Sequence, residues 1–170
     1  GARSVFFGYD FHMNVYALGL IEINTNAGGA MLNALLARAQ RACCTAMQTP
    51  WANTAAADVL EAQIVEMFRN EWRLTGRADP LRSIAIVDSM PEQQYLYPEF
   101  VLFKQLFERH GLHAVIADPA QLKLRAGALW VGELKVDVVY NRLTDFYLAD
   151  PAHAVLREAY LANAVVLTPH

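Results

Sequence analysis

Several things are scarce in this 170-residue chain, and each scarcity excludes something. It has two cysteines, and they are neighbours, Cys43 and Cys44. A disulfide between adjacent residues strains the backbone, so both are expected reduced, as in a cytosol. Metal-site cysteine spacing is absent. Only three lysines occur, Lys104, Lys123 and Lys135, none in a nucleotide-loop context. No basic cluster stands out, and the formal net charge is -3 with a pI near 5.9. That argues against a nucleic-acid partner. No apolar run approaches the ~18–20 residues of a membrane span. Gly1-Ala2-Arg3-Ser4 lacks the basic and apolar regions of a signal peptide. A cytoplasmic protein without a membrane partner is the expectation. There is no GxGxxG fingerprint and no Walker loop, so ordinary dinucleotide binding and P-loop chemistry are not indicated.

What is present is apolar. The hydrophobic fraction is 55% and the mean hydropathy +0.16, enough for one domain with a real core. The chain lacks an initiator Met and stops straight after a predicted strand. This reads as a single domain, 1–170, cut from a longer protein.

The stretch Gly19 to Gly29, GLIEINTNAGG, organises the rest. Leu20, Ile21 and Ile23 predict a short buried strand within Leu18 to Asn24. Glu22 sits in its middle, where a carboxylate is costly unless paired. Asn24, Thr25, Asn26, Ala27, Gly28 and Gly29 make a polar, flexible turn before a helix. Oxygen donors at a strand end, then glycines at a helix start, suit a metal or an anion. A plain strand–turn–helix corner with a tolerated Glu is the other reading of the spacing.

Val5 to Phe7 is β-prone, and Gly8 to His12 reads as a polar and aromatic break. Helices are predicted from Ala30 to about Cys44, with Met31, Leu32, Leu35, Leu36 and Ala39 inward, and from about Ala55 to Leu74. The second turns Leu60, Ile64, Met67, Phe68 and Trp72 inward; its charges, Glu61 and Glu71 among them, read as a solvated face. Ser83 to Asp88 has the continuous apolar run of a strand buried on both faces. Ser89 and Glu92 have capping-box spacing for the next helix, which Gly111 stops. His113 to Asp118 should pair parallel with the previous strand. Leu122–Arg125 and Ala128–Val131 predict a hairpin, and Val136 to Leu143 another strand. Asp150-Pro151 opens a last helix through about Leu161, and Ala164 to Leu167 closes the chain as a strand.

The fold class expected is α/β, a Rossmann-like, mostly parallel sheet flanked by helices with a β-hairpin excursion. Ligands of such sheets bind beyond the carboxyl ends of the strands. Those ends carry Asn24 to Asn26, Asp88 and Ser89, Asp118, Asn141 and Arg142, and Thr168. The five histidines are scattered, and no Ser–His–Asp or Cys–His pairing suggests a hydrolase.

Ile21-Glu22-Ile23-Asn24-Thr25-Asn26-Ala27-Gly28-Gly29 resembles the strand and turn of eukaryotic-type glutathione synthetases, whose motif begins IEINT and ends in Gly-Gly. Val138-Val139-Tyr140-Asn141-Arg142 resembles their VVYxR segment. The order of elements between the two also agrees, and the resemblance extends to the wider circularly permuted ATP-grasp group. It implies the substrate-binding, pre-ATP-grasp part of a ligase that joins an amino acid or peptide to a carboxylate through an ATP-derived acyl phosphate. Glu22 and Asn24 would then hold Mg2+ with the ATP phosphates. Asn26, Ala27, Gly28 and Gly29 would form the substrate loop, and Arg142, beside Asn141, would bind a substrate carboxylate. Glu92 and Gln94 fall where the family has a Glu-x-Asn substrate pair; the capping box is the competing reading for Glu92.

Two departures bear on the substrate. Asn26 and Ala27 stand in place of the family's serines, and Gly8-Tyr9-Asp10 lacks the family's Arg. The lysines and glycine-rich lid of the C-terminal ATP-grasp domain would lie beyond residue 170, so the chain is expected to be inactive alone. The alternative is a non-catalytic module that binds a small carboxylate or mediates domain assembly.

Overall fold

A computed structural model describes residues 3–43 and 54–170, with the side chains of 40–43 and 54–58 outside the description. Cys44, the loop predicted at Gln48 to Asn53, and the capping choice between Asn53 and Thr54 lie outside the described residues or rest on them.

The centre is a four-stranded, all-parallel sheet in the order β4-β3-β8-β9. Its strands are β3 (Ser83–Val87), β4 (His113–Ala117), β8 (Val138–Asn141) and β9 (Val166–Thr168). Every residue of β3, β8 and β9 is buried, as their unbroken apolar runs require. Helix α3 (Tyr97–Arg109) links β3 to β4, and α4 (Ala154–Leu161) links β8 to β9. Between β4 and β8 the chain forms a small antiparallel sheet, β5 (Leu122–Arg125), β6 (Ala128–Val131) and β7 (Leu134–Val136). The fold class is therefore α/β.

Alternation assigns the two faces of the central sheet. Ile84, Ile86, Val138, Tyr140 and Val166 pack with α2 (Thr54–Leu74) and with Phe100, Phe103, Leu106 and Phe107 of α3. Phe68, Phe103, Phe107 and Tyr140 meet edge-on or tilted, with ring centroids 5.0 to 5.9 Å apart. On the other face Ala85, Val87, Val139 and Leu167 pack against Leu156 and Ala159 of α4 and Leu129 and Val136 of the small sheet.

Five local expectations are corrected. Gly8 to His12 is no break; β1 (Gly8–Met13) pairs antiparallel with β2 (Leu18–Asn24). These two form a separate sheet, so β2 does not join the parallel strands. Leu20, Ile21 and Ile23 are exposed, because no described strand or helix covers the hairpin. The Ser89–Glu92 capping box does not form. Met90 takes φ 43° and a single 3-10 turn follows at Pro91–Gln93, while α3 starts at Tyr97, nearer its apolar stripe. The predicted strand Val136 to Leu143 divides at Asp137, whose carboxylate accepts the Arg82 and Ser83 N–H groups.

Burial patterns on two helices also differ from the spacing. In α1 (Ala30–Cys43), Met31 and Ala34 are buried whereas Leu35 and Leu36 face outward. In α2 Leu60 is exposed, and Glu61 and Glu71 are buried. Glu61 is compensated by Arg38 at 2.7 Å and Arg109 at 2.9 Å.

The aromatic cluster should dominate stability. Phe68→Ala is expected to cost about 3–5 kcal/mol in urea unfolding. Tyr16→Ser, at the hairpin tip where the side chain is 95% exposed, should change it by less than about 0.5 kcal/mol.

Candidate functional site

Chain order places the site. From β3 the chain goes first to β4 on one side, then to β8 on the other, with α3 and α4 on opposite faces. The strand order thus reverses between the parallel strands β3 and β8, and the crevice beyond their carboxyl ends is where open α/β sheets take ligands. Asp88 follows β3 there and Arg142 follows β8. The Arg142 N–H donates to the Val87 carbonyl at 2.9 Å, which fixes the two strand ends together.

Arg142 is buried to 9% exposure, and its Nη1 gathers an array of acceptors. It donates to the Asn26 side-chain oxygen, to the Ala27 carbonyl at 3.3 Å, and to the Tyr140 hydroxyl at 3.3 Å. The guanidinium also lies 5.3 Å from the Tyr140 ring centroid. Burial pushes the Tyr140 hydroxyl pKa upward, so it stays a neutral partner. Among the described residues, neither Nε nor Nη2 of Arg142 donates to a protein acceptor.

Glu99 of α3 secures the other end of the same turn. Its carboxylate, 1% exposed, accepts the Gly29 N–H at 2.7 Å and the Met31 N–H at 2.9 Å. These are unsatisfied donors at the start of α1, and an anion there complements the helix dipole. The helix start that the sequence offered to a ligand anion is therefore filled by the protein's own carboxylate. The glycines are needed for this docking. A methyl on Gly28 would lie 2.6 Å from Leu96 Cδ1 and 3.1 Å from Arg142 Nη2, and Gly29 has φ +93°.

Glu22 and Asn24 lie elsewhere, on the hairpin. The register pairs Asp10 with Glu22 and Gly8 with Asn24, and shifts after Asp10 so that Phe11 meets Leu20. Alternation then makes the hairpin two-faced. Asp10, His12, Glu22 and Asn24 share the polar face; Tyr9, Phe11, Met13, Leu18, Leu20 and Ile23 share the other, and all six of these are exposed. The two carboxylates face each other across the strands, an unfavourable placement without a cation between them. Among the described residues, however, no group of three or more acidic, His or Cys side chains is arranged to hold a metal.

The remaining predicted residues have separate surroundings. Asn141 is fully buried and its carboxamide is committed to the chain: it donates to the Pro169 carbonyl at 3.3 Å and accepts the Leu143 N–H at 3.1 Å. It shapes the strand end rather than facing outward. Gln94 donates to the Ser89 carbonyl at 2.7 Å, closing its own loop. Glu92 is exposed on the rim of a cavity of about 340 Å³, with Tyr97, Ile116, Asp118 and Gln121.

Further polar groups converge on this edge of the sheet. Burial raises the Asp88 pKa, opposed by the Ser89 N–H bond and by the Arg142 charge. His153 Nδ1 lies 2.9 Å from Asp145, and the Asp150 N–H donates to the same oxygen at 2.9 Å. The Asp150 backbone bond, then the His153 bond, hold the Asp145 carboxyl at about 2. Glu71 of α2 accepts the Arg3 N–H at 2.9 Å, the Ser4 N–H at 3.0 Å and the Thr168 hydroxyl at 2.9 Å. It ties the amino-terminal segment to the end of β9.

Glu99, Glu71 and the Asp145–His153 pair are polar groups that the sequence pattern did not single out. A signal for the first two existed. Glu99 is spaced with Phe103 and Leu106 on the apolar stripe of α3, and Glu71 with Ile64 and Phe68 on that of α2. A carboxylate on a buried stripe must be bonded internally. The His153 pairing had no comparable signal. Comparison of the sequence with protein-family models and with curated proteins finds no match.

Glu99→Ala should leave the buried Met31 N–H unpaired, costing about 1–3 kcal/mol, and release the half-buried Gly29 N–H. Amide exchange at Gly29 and Met31 should accelerate at least roughly tenfold, a loss of about 1.4 kcal/mol of protection.

The two aspartates predict opposite pH effects. The raised pKa of Asp88 means that stability is lost as pH rises from the ordinary value of 3.8 through the folded value. Asp88→Asn should therefore raise the urea midpoint at pH 7 and leave it unchanged at pH 3. The Asp145 pKa is lowered, so its contribution is present above 3.8 and is lost as pH falls through about 2. Asp145→Asn should lower the midpoint at pH 7, with the difference from wild type closing towards pH 2.

Proposed function

We propose that the chain is the substrate-binding part of an ATP-dependent carboxylate–amine ligase of the glutathione-synthetase kind, with its central sheet acting as a Rossmann-like platform. One observation carries the reading. The Asn26–Gly29 turn and Arg142, more than a hundred residues apart, meet at the point where the strand order reverses, bonded through Arg142 Nη1. These are the two segments that resemble the family motifs, and ligand chemistry belongs at that place in the fold.

In this reading Arg142 binds the carboxylate of the amino-acid or peptide substrate. With Nη1 holding the turn, Nε and Nη2 remain for a bidentate contact. The substrate loop is held ready by Glu99 and Arg142, which reduces the ordering required on binding. The hairpin supplies the Mg2+ and ATP side. Glu22 and Asn24 present hard oxygen donors on one face, with Asp10 opposite Glu22. Such donors fit Mg2+, whose other positions would be taken by water and phosphate oxygens. The ion would neutralise phosphate charge during acyl-phosphate formation. Two acids and a carboxamide do not complete a nucleotide site, so the C-terminal ATP-grasp domain is the expected partner. The exposed apolar face of the hairpin suits cover by such a domain.

That same apolar face favours a second reading, a non-catalytic module that binds a small carboxylate and docks another domain. The readings differ in ATP chemistry. For the ligase, the intact protein should hydrolyse ATP only with Mg2+ and an amine acceptor. Glu22→Gln should lower kcat at least roughly tenfold, and Arg142→Lys should raise KM for the acid by a similar factor, each about 1.4 kcal/mol. Calorimetric binding of a small acid without ATP or Mg2+, and no ATP turnover in the intact protein, would favour the module.

A further inference from the structure

The opposite edge of the sheet carries a second constellation. A cavity of about 520 Å³ opens at the amino ends of β3 and β4, bounded by the turn after α2 and by Lys135 of β7. Its size is within the range of small-molecule sites.

Its floor is stitched together. The Ser83 hydroxyl donates to the Lys135 carbonyl at 2.6 Å and accepts the Asp137 N–H at 3.0 Å. The Asp137 carboxylate is engaged by backbone, the Arg82 N–H at 2.9 Å and the Ser83 N–H at 3.3 Å.

The charge around this floor is unbalanced. Arg77, Arg82, Lys135 and His113 line the cavity, against Asp79 and Asp137. Arg77 is held over the Trp72 ring, 4.9 Å from its centroid, and donates to the Asn163 carbonyl at 2.7 Å. Among the described residues, none of these four basic side chains has a carboxylate within ion-pairing distance. Some other cations are closely paired, Arg38 with Glu61 at 2.7 Å, Arg73 with Glu66 at 2.5 Å and Lys104 with Glu108 at 2.6 Å, but among the described residues the isolated Lys123 and Arg157 are not; what sets this edge apart is that several such groups share one concavity. Gathering the Arg77 and Arg82 guanidinium groups and the Lys135 ammonium in one concavity raises the local concentration of anions.

We infer that this cavity binds a small phosphate-bearing anion, with Arg82 and Lys135 as its principal ligands and His113 and Arg77 beside them. A guanidinium fork and an ammonium point charge suit the several oxygens of a phosphate better than a single carboxylate. The net charge of -3 argues against a nucleic acid as the source of that phosphate. The site lies across the sheet from Arg142 and does not depend on the chemistry proposed there.

The test is an NMR titration of the 170-residue chain with inorganic phosphate at constant ionic strength, with acetate as the comparison anion. Saturable shifts centred on Ser83, His113 and Asp137, weaker by at least tenfold with acetate, are expected. Arg82→Gln combined with Lys135→Gln should weaken phosphate at least tenfold, while Arg142→Lys should leave it unchanged. Both substituted side chains are exposed, and circular dichroism checks that the double variant folds. Shifts that never saturate, equal responses to the two anions, or undiminished binding by a folded double variant would each overturn the site. The selectivity of the wild-type chain decides the matter even if the double variant fails to fold.

Discussion

The clamp on the Asn26–Gly29 turn is the constraint from which the rest of the candidate site follows. Arg142 holds the turn from the sheet, and Glu99 holds it from α3. Removing either group would strand its own partners: the Gly29 and Met31 N–H groups for Glu99, and the Asn26 side-chain oxygen, Ala27 carbonyl and Tyr140 hydroxyl for Arg142. The clamp also positions α1, whose first N–H groups end on Glu99, and it brings the base of the hairpin to the carboxyl edge. Local backbone freedom makes this docking feasible, because Gly28 leaves room for Leu96 and the guanidinium.

Buried carboxylates do the same kind of work elsewhere in this fold. Glu71 joins the amino-terminal segment to β9, and Glu61 joins α1 to α3 through two arginines. Each lies on a helix stripe that is otherwise apolar. Polar attachments of this kind fix orientation, since the carboxylate must find its donors or bear the cost of burial. Apolar packing supplies the bulk of the driving force, through the Phe68, Phe103, Phe107 and Tyr140 cluster on one face and the α4 layer on the other. Asp88 runs against this pattern: its burial disfavours its own charge at the very edge where ligand chemistry is proposed. Such local instability is common where function needs a charge.

Much of the framework was legible from residues. Ser83 to Val87 reads as a doubly buried parallel strand because it has no polar interruption. The α3 stripe of Phe100, Phe103, Leu106 and Phe107 has helical spacing. The hairpin was not legible in the same way. Leu20, Ile21 and Ile23 suggest burial, but burial depends on a covering layer, which a strand's own residues do not specify. The alternation from Tyr9 to Met13 was hidden by Gly8 and Asp10, which look like a break. The structure brings together Arg142 and the Asn26–Gly29 turn, the two segments singled out in the sequence by their resemblance to known motifs. Glu99 was visible only as a misplaced charge on an apolar stripe, and Asp145 with His153 required the loop geometry.

The two edges of the parallel sheet thus have different characters. The carboxyl edge combines a held loop, a buried arginine and an aspartate whose burial disfavours its charge; the amino edge combines basic side chains over a hydrogen-bonded polar floor. The central claim concerns the first of these. It is tested most directly by following the Arg142 guanidinium nitrogen resonances while a small peptide carboxylate is added to the 170-residue chain. The account predicts saturable shifts of Nε and Nη2, with accompanying changes at the Ala27, Gly28 and Gly29 amides. Saturable binding that leaves the Arg142 resonances unmoved, or no binding at all, would contradict it.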